Sequence, residues 1–181
     1  MNTNQQFQTV LDQCQDIFLK KTKDYGTAWR ILRPSSLTDQ LYIKAKRIRS
    51  IQEKGHQKVE DSVDLDFVGL INYSIMAIIQ LESEFSEEDL NMDYDEVSKL
   101  YKKQRETAFK LMNDKNHDYG EAWRDMRISS ITDLILMKLL RIKQIEENEG
   151  ATIISEGLDA NYLDIINYAV FAIILLEEQK D

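Results

Sequence analysis

The fold is decided by a stretch of sequence that occurs twice, as DYGTAWRILRPSSLTDQLYIKAKRI at residues 24–48 and as DYGEAWRDMRISSITDLILMKLLRI at residues 118–142. Extended by two residues, 22–48 and 116–142 align without a gap, and 14 of the 27 positions are identical. The similarity resumes near the end of each copy. A period of about 95 residues is much longer than the roughly 20–50 residues of solenoid repeats, and it therefore predicts a duplicated domain.

Each copy is predicted to contain three helices. Apolar residues three and four positions apart predict the first helix over about 5–21. The second is expected to end near residue 52, with Ser36 or Thr38 as its N-cap. The third, over about 62–82, is apolar nearly all round in its second half and should be buried. In the second copy, the first helix is expected at about 96–114 and the third at about 159–178.

These patterns predict an all-α fold, a tandem duplication of a three-helix unit packed as an internal pseudo-dimeric helical bundle. The apolar third helices are expected at its centre. One proline and six glycines in 181 residues supply little turn material for a sandwich or barrel of many short strands. The expected domains are residues 1–83 for the first repeat, 84–96 for an acidic linker and 97–181 for the second repeat. Further association into a homo-oligomer stays open.

Composition excludes several classes of protein. A single cysteine, Cys14, cannot form an intrachain disulfide, and it is expected in the core. The N-terminus resembles no secretory signal, and the longest apolar run, residues 168–176, is much shorter than the roughly 20 residues of a membrane span. A net charge of −9 disfavours duplex nucleic acid as a partner. A cytoplasmic protein without a membrane partner is therefore expected.

The charges are segregated along the chain. Residues 20–60 contain eleven lysines and arginines against four acids, a net charge of +7, whereas residues 61–100 contain eleven acids against Lys99 alone, a net charge of −10. If the fold places these segments side by side, a basic wall faces an acidic one, which suits a phosphate-bearing ligand with a divalent cation. Alternatively, the two are solvated helix faces that neutralise each other.

Polar residues that the two copies share are the candidate phosphate ligands. Arginine binds phosphate oxygens two at a time, and serine near a helix N-terminus adds backbone N–H donors. The candidates are Lys44, Arg47, Arg30, Arg33 and Ser36 in the first copy, and Lys138, Arg141, Arg124, Arg127 and Ser130 in the second. The alternative is structural, with buried ion pairs between Asp39 and Arg47 and between Asp133 and Arg141.

Two aromatic pairs are candidates for stacking on a nucleobase. They are Tyr25 with Trp29 in the first copy and Tyr119 with Trp123 in the second. Alternatively, each pair fixes its turn against a helix.

Carboxylates near the start of the third helix are candidate metal ligands, because oxygen ligands suit Mg²⁺. They are Asp64, Asp159 and Asp164. Acids at a helix start also interact favourably with the helix dipole, which is the alternative. Asp164 corresponds to Gly69 in the first copy, so the two copies are not expected to be functionally equivalent. The two histidines lie at unmatched positions and predict no shared catalytic base.

The order of these residues resembles a known family. Both copies contain Asp-Tyr-Gly-x-Ala-Trp-Arg, then Ser-x-Thr-Asp-x4-Lys-x2-Arg-Ile, then Asp-x7-Asn-Tyr-x3-Ala-Ile-Ile. This sequence pattern resembles that of the bacterial and phage family called nucleotide modification associated domain. That family resembles, more distantly, the all-α nucleoside triphosphate pyrophosphatases of the MazG and dimeric dUTPase type.

The distant resemblance implies Mg²⁺ bound by Glu-x-x-Glu on one helix and Glu-x-x-Asp on the next, and cleavage between the α- and β-phosphates. At the first motif this chain has Lys44-x-x-Arg47 and Lys138-x-x-Arg141, and at the second only Asp164-x-x-Asn167 is similar. We expect a protein that binds free nucleotides or another phosphorylated small molecule and either senses them or acts on them. If it is an enzyme, the expected reaction is Mg²⁺-dependent pyrophosphohydrolysis of a nucleoside triphosphate. The alternative is a non-catalytic helical scaffold or protein-interaction domain with buried ion pairs.

Overall fold

The computed structural model describes residues 1–83, 86, 88 and 90–180. These residues form α-helices and short 3₁₀ turns, and they contain no β-strand. The α-helices are α1 (Thr3–Tyr25), α2 (Pro34–Lys54), α3 (Val63–Glu82), α4 (Tyr94–Tyr119), α5 (Ile128–Glu147) and α6 (Leu158–Glu178). The 3₁₀ turns Ala28–Ile31 and Ala122–Asp125 join the first and second helices of each repeat. The all-α duplication of a three-helix unit is confirmed.

The start of α2 differs from the sequence prediction. Pro34 occupies the first helical position and Arg33 is the N-cap residue, so Ser36 and Thr38 lie inside the helix. Proline is favoured at that position because its fixed φ suits the helix and no N–H is needed there. Ser130 likewise lies inside α5, whose N-cap residue is Arg127.

The first helix of the second repeat begins slightly before its expected start at about residue 96. Helix α4 starts at Tyr94, within the segment 84–96 that was expected to be a linker. The Asp93 carboxylate caps this helix by accepting a hydrogen bond of 3.0 Å from the backbone N–H of Asp95. Residues 84, 85, 87 and 89 of the predicted linker lie outside the described residues.

The two repeats pack through their third helices. Helices α3 and α6 lie against each other, α2 and α5 make a second contact between the repeats, and α1 and α4 also pack on the centre. Both third helices carry side chains that are fully or almost fully buried, among them Leu70, Ile71, Ile75, Ile166, Val170 and Ile174. The pseudo-dimeric bundle with the apolar third helices at its centre is therefore confirmed.

The same two helices, α3 and α6, are long and apolar enough to cross a membrane by length and composition alone. Within the structure, 56% of the apolar window of α3 and 72% of that of α6 are buried. The core helix of a soluble protein meets the same criterion, so this is weak evidence for a membrane span.

Polar contacts between α2 and α5 follow the internal symmetry. The Thr38 hydroxyl lies 2.7 Å from Glu146 Oε1, and its counterpart Thr132 accepts a hydrogen bond of 3.0 Å from Gln52 Nε2. Gln52 and Glu146 occupy equivalent positions of the repeat. One threonine of each copy therefore bonds to the same position of the other copy.

The aspartates next to these threonines also cross between the copies. Asp39 pairs with Lys143 at 3.4 Å, and Asp133 pairs with Arg49 at 3.5 Å. The predicted ion pairs of Asp39 with Arg47 and of Asp133 with Arg141 are wrong. The contact between the repeats thus explains why both copies contain the Thr-Asp motif. The ion pairs in this contact are exposed, and each contributes at most about 1 kcal/mol.

Glu146 is a half-buried member of this symmetric set, and its pKa is shifted. Burial raises the pKa of its carboxyl above the ordinary 4.5, and nearby Asp39 raises it further, while the Thr38 hydrogen bond and Lys143 act in the opposite direction. A raised pKa means that the folded protein binds this proton more tightly than the unfolded chain. Stability is therefore lost as the pH rises from the ordinary pKa through the raised one.

Replacing Glu146 by the residue of the other copy, as Glu146→Gln, is expected to raise the free energy of unfolding at about pH 7.5, because a half-buried charge is removed. The gain should disappear below about pH 4, where the glutamate is protonated in both states. Urea unfolding across this pH range measures the difference. A variant less stable than the parent at about pH 7.5 would show that the bond from Thr38 to the carboxylate outweighs its burial.

Candidate functional site

Each repeat holds a cavity between the end of its first helix, the following turn and its third helix. The first cavity, in the first repeat, has a volume of about 260 Å³, and the second cavity, in the second repeat, about 310 Å³. All ten residues that line the second cavity have a counterpart that lines the first. Several of these pairs have polar or aromatic side chains in both repeats: Lys21 and Lys115, Tyr25 and Tyr119, Trp29 and Trp123, Asn72 and Asn167, and Tyr73 and Tyr168. One pair differs in charge, Gly69 and Asp164. The cavity is thus a property of the repeat unit.

The predicted aromatic pairs come together at these cavities. Trp29 and Trp123 are buried, and the indole Nε1–H of each has no hydrogen-bond partner among the described residues. Tyr25 and Tyr119 are 59% and 77% exposed and border the openings. The tyrosine rings are therefore the aromatic surfaces available to a ligand, whereas each indole offers its N–H.

The ring of Trp123 is already covered by protein. Phe171 stacks on it at a centroid distance of 4.2 Å, and the guanidinium of Arg124 lies over the ring at 4.4 Å. These contacts favour the interpretation that the tryptophan fixes its turn against a helix, which was the alternative to base stacking.

In the second cavity two lysines share one carboxylate. Asp164 is 5% exposed, and its oxygens lie 2.6 Å from Lys115 Nζ and 2.8 Å from Lys138 Nζ. Burial alone would lower the pKa of Lys115, but the hydrogen bond and the charge of Asp164 outweigh it and raise that pKa. Lys115 is therefore held in its charged form against the carboxylate.

The first cavity lacks that carboxylate, because Gly69 stands at the position of Asp164. A Cβ built on Gly69 would lie 2.7 Å from Cδ of Lys44, so the lysine side chain crosses the space that the glycine leaves open. Its Nζ lies 5.5 Å from the centre of the Tyr73 ring. Within the described part of the chain, neither Lys44 nor Lys21 contacts a carboxylate, and both line the cavity.

The arginine of the Lys-x-x-Arg motif is paired with a carboxylate in the first repeat, where the lysine contacts none among the described residues. Arg47 is bonded to the buried carboxylate of Asp66 and to the backbone oxygen of Asp61 at 2.8 Å. The second repeat has Asn161 in place of Asp66, and Arg141 is exposed with no carboxylate contact among the described residues. One cation of each motif is therefore neutralised, the arginine in the first repeat and the lysine in the second.

Arg141 lies beside a different depression. This depression is larger and more open, about 750 Å³, and is lined by Lys138, Arg141 and the loop 151–156. Ile153 and Ile154 of that loop are almost fully exposed. An open depression encloses a small ligand less completely than the two cavities do.

The turn arginines do not join the predicted phosphate site. Arg30 is buried and donates to Gln80 Oε1, which fixes the turn to α3. Arg124 donates to Glu121 at 2.7 Å, to Glu178 at 2.8 Å, and to Thr3 and Gln6 of α1. Neither arginine lines a cavity.

The remaining predicted phosphate ligands also stay apart. Arg33 and Arg127 are the exposed N-cap residues of α2 and α5, and Ser36 and Ser130 follow them inside those helices. None of the four lines either cavity. Of the ten predicted residues, Lys44 lines its cavity, and Lys138 reaches the second cavity through Asp164.

The predicted metal ligands do not come together. Asp64 pairs with Lys180 at 2.6 Å, Asp164 is held by two lysines, and Asp159 lies exposed near the start of α6. In the described part of the chain, no three His, Cys, Asp or Glu side chains form a group that could hold a metal ion. A carboxylate already bound by two ammonium groups does not fit Mg²⁺, which needs oxygen ligands free to coordinate it.

Lys21 and Lys115 are functional candidates that the sequence reasoning missed. Each precedes the aligned segment by one residue, and both copies have lysine there. That identity, directly beside the repeated text, was the signal that could have found them.

The shared asparagine has a different environment in each repeat. Asn72 Nδ2 donates to the Cys14 backbone oxygen at 3.1 Å, and its Oδ1 accepts from the Tyr101 hydroxyl at 2.8 Å. The counterpart of Tyr101 is Phe7, which has no hydroxyl. Asn167 is 5% exposed, and neither polar atom of its amide has a partner among the described residues.

Comparison with known proteins identifies one family. The sequence profile described as Nucleotide modification associated domain 1 matches twice, at residues 21–81 and 115–176, one match in each repeat. No curated protein and no solved structure matches the chain. The two matches contain most of the residues that line the two cavities, and they cover more than half of the chain. The chain therefore belongs to the nucleotide modification associated domain family, as two tandem copies.

Proposed function

We propose that this protein binds a nucleoside phosphate in the first cavity. Lys21 and Lys44 bind the phosphate oxygens, Tyr25 stacks on the base, and the Trp29 indole N–H donates a hydrogen bond to the ligand. The observation that carries the proposal is Gly69, which leaves room for Lys44 and supplies no carboxylate to neutralise it.

Charge supports a phosphate at this place. Lys21 and Lys44 line one small cavity, and neither contacts a carboxylate among the described residues. Two acids line the same cavity: Asp66 is paired with Arg47, and Asp61 is exposed. Two ammonium groups at a partly enclosed surface attract an anion, and lysine binds phosphate as a point charge. A phosphate would therefore neutralise charges that the protein leaves unpaired.

Aromatic groups support a nucleoside attached to that phosphate. The cavity joins its cationic side to the exposed ring of Tyr25 and to the ring of Tyr73. Base stacking on an aromatic side chain contributes about 1–3 kcal/mol and does not require one particular base. The family's description, which links these domains with nucleotide modification, agrees with a nucleotide as the ligand.

The proposal concerns binding, in a protein that senses or presents a nucleotide. The described residues show no carboxylate group that fits a metal, so no hydrolytic step is derived from them. Arg47 is assigned to the structure, because its guanidinium holds Asp66 and the backbone of Asp61.

Gly69→Asp is expected to weaken nucleoside phosphate binding at least about tenfold, a loss of about 1.4 kcal/mol. The new carboxylate pairs with Lys44 and copies the arrangement at Asp164. Gly69→Ala is the matched control: its Cβ crowds Lys44 but adds no charge, so the loss should be smaller. Titration calorimetry with nucleoside mono-, di- and triphosphates measures both variants.

A thermal-shift screen with the same compounds tests the proposal as a whole. A ligand at a hundred times its Kd adds about 2.7 kcal/mol of stability. A flat profile across the panel, with and without Mg²⁺, overturns the proposal and favours the scaffold alternative.

Arg47→Met is expected to lower the free energy of unfolding by about 3 kcal/mol, because it leaves the buried Asp66 carboxylate unpaired. The ligand-induced thermal shift should persist. Arg141→Met is the matched control in the second repeat, where no carboxylate of the described residues contacts the arginine, and it should change stability by less than about 0.5 kcal/mol. Urea unfolding compares the two variants, and loss of the ligand-induced shift in Arg47→Met would reassign Arg47 to the ligand.

A further inference from the structure

The second cavity contains buried polar groups that no described residue of the protein satisfies. Both polar atoms of the Asn167 amide and the Trp123 indole N–H lack hydrogen-bond partners among the described residues. Asn167 is 5% exposed and Trp123 is 6% exposed, and both line the cavity of about 310 Å³. Buried polar groups in native proteins are nearly always hydrogen-bonded, so unpaired groups at a cavity wall are available to bond a molecule that enters the cavity.

The charges of this cavity disfavour a phosphate. Asp164 occupies the space that is open at Gly69 and binds both Lys115 and Lys138. An anion that approached these lysines would meet the carboxylate and would have to displace it. An uncharged ligand meets no such repulsion.

We propose that the second cavity binds a nucleobase or a nucleoside without a phosphate group. The Asn167 amide has a donor and an acceptor side by side, which matches the adjacent acceptor and donor on the edge of a base. The Trp123 N–H donates to a further acceptor on the ligand. Tyr119, which is 77% exposed, stacks on the flat face of the base.

The size and shape of the cavity agree with such a ligand. A volume of about 310 Å³ lies at the small end of the roughly 300–1,000 Å³ found for pockets that hold small organic ligands. It is bordered by two tyrosines, Tyr119 and Tyr168. Burial and the charge of Asp164 both raise the pKa of Tyr168, which favours its neutral, hydrogen-bond-donating form.

This inference is independent of the proposed function, because the two cavities share no lining residue. Together they would give one chain two sites of different ligand chemistry, phosphorylated in the first repeat and uncharged in the second. Failure of either proposal leaves the other standing.

The chain supplies its own reporter for the second cavity. It has two tryptophans, one in each cavity, so Trp29→Phe leaves Trp123 as the single fluorophore. Titrating this variant with adenosine, guanosine, cytidine and thymidine is expected to give a saturable change in Trp123 emission for at least one of them. The 5′-monophosphate of that nucleoside should bind at least about tenfold more weakly. Asp164→Asn, which keeps the shape and removes the charge, should reduce this difference.

Stability provides a readout that a merely structural asparagine would not give. Asn167→Leu should abolish the nucleoside response and raise the Tm of the ligand-free protein, because it removes an unpaired buried amide. Asn72→Leu is the matched control, and it should lower the Tm, because it leaves the Cys14 carbonyl and the Tyr101 hydroxyl without their partner.

Four results would overturn the inference. They are no response of Trp123 to any nucleoside in the panel, a nucleoside response that survives Asn167→Leu, a monophosphate that binds as tightly as its nucleoside, and a Tm of Asn167→Leu that falls as it does in Asn72→Leu. The last result would show that Asn167 is already satisfied within the protein.

Discussion

The structure depends on the burial of α3 against α6. Both helices are apolar nearly all round in their second halves, so one three-helix unit alone would leave much of its third helix in water. A fully buried isoleucine or leucine side chain contributes roughly 1.5–3 kcal/mol, and many of them meet in this contact. Duplication allows both third helices to be buried within one chain, because each covers the apolar surface of the other. The symmetric bonds between α2 and α5 then fix how the two units are aligned.

A symmetric core need not produce symmetric sites. Each cavity is lined by residues of its own repeat, so a substitution in one copy has no required counterpart in the other. Gly69 against Asp164 and Asp66 against Asn161 reverse which cation of each Lys-x-x-Arg motif is neutralised. The scaffold is thus shared, whereas the charge presented to a ligand is set separately in each repeat.

Most of the fold could be predicted, because helix periodicity and repetition can be recognised directly in the sequence. The partner of each charged side chain could not be predicted. Asp39 and Arg47 lie two turns apart on one helix, and an ion pair between them was one of two interpretations, but Asp39 pairs with Lys143 of the other repeat. The aromatic members of the site were found, since they are repeated and uncommon. Asn167 was visible as a repeated residue, but the state of its amide was not. In the first repeat the amide oxygen accepts from Tyr101 of another helix, and the counterpart of Tyr101 is Phe7, which has no hydroxyl.

The bonds of Arg124 bring distant parts of the chain together. They connect the turn before α5 with Thr3 and Gln6 near the start of α1 and with Glu178 at the end of α6, and Gln6 itself donates to Glu178 at 2.8 Å. The start of α1 and the end of α6 therefore lie side by side. A short connection between them, with the chain opened between α3 and α4, would give a circular permutant in which the repeats occur in reverse order. Chain connectivity thus determines only the order of the two repeats, whereas their packing is determined by the surfaces that they bury against each other.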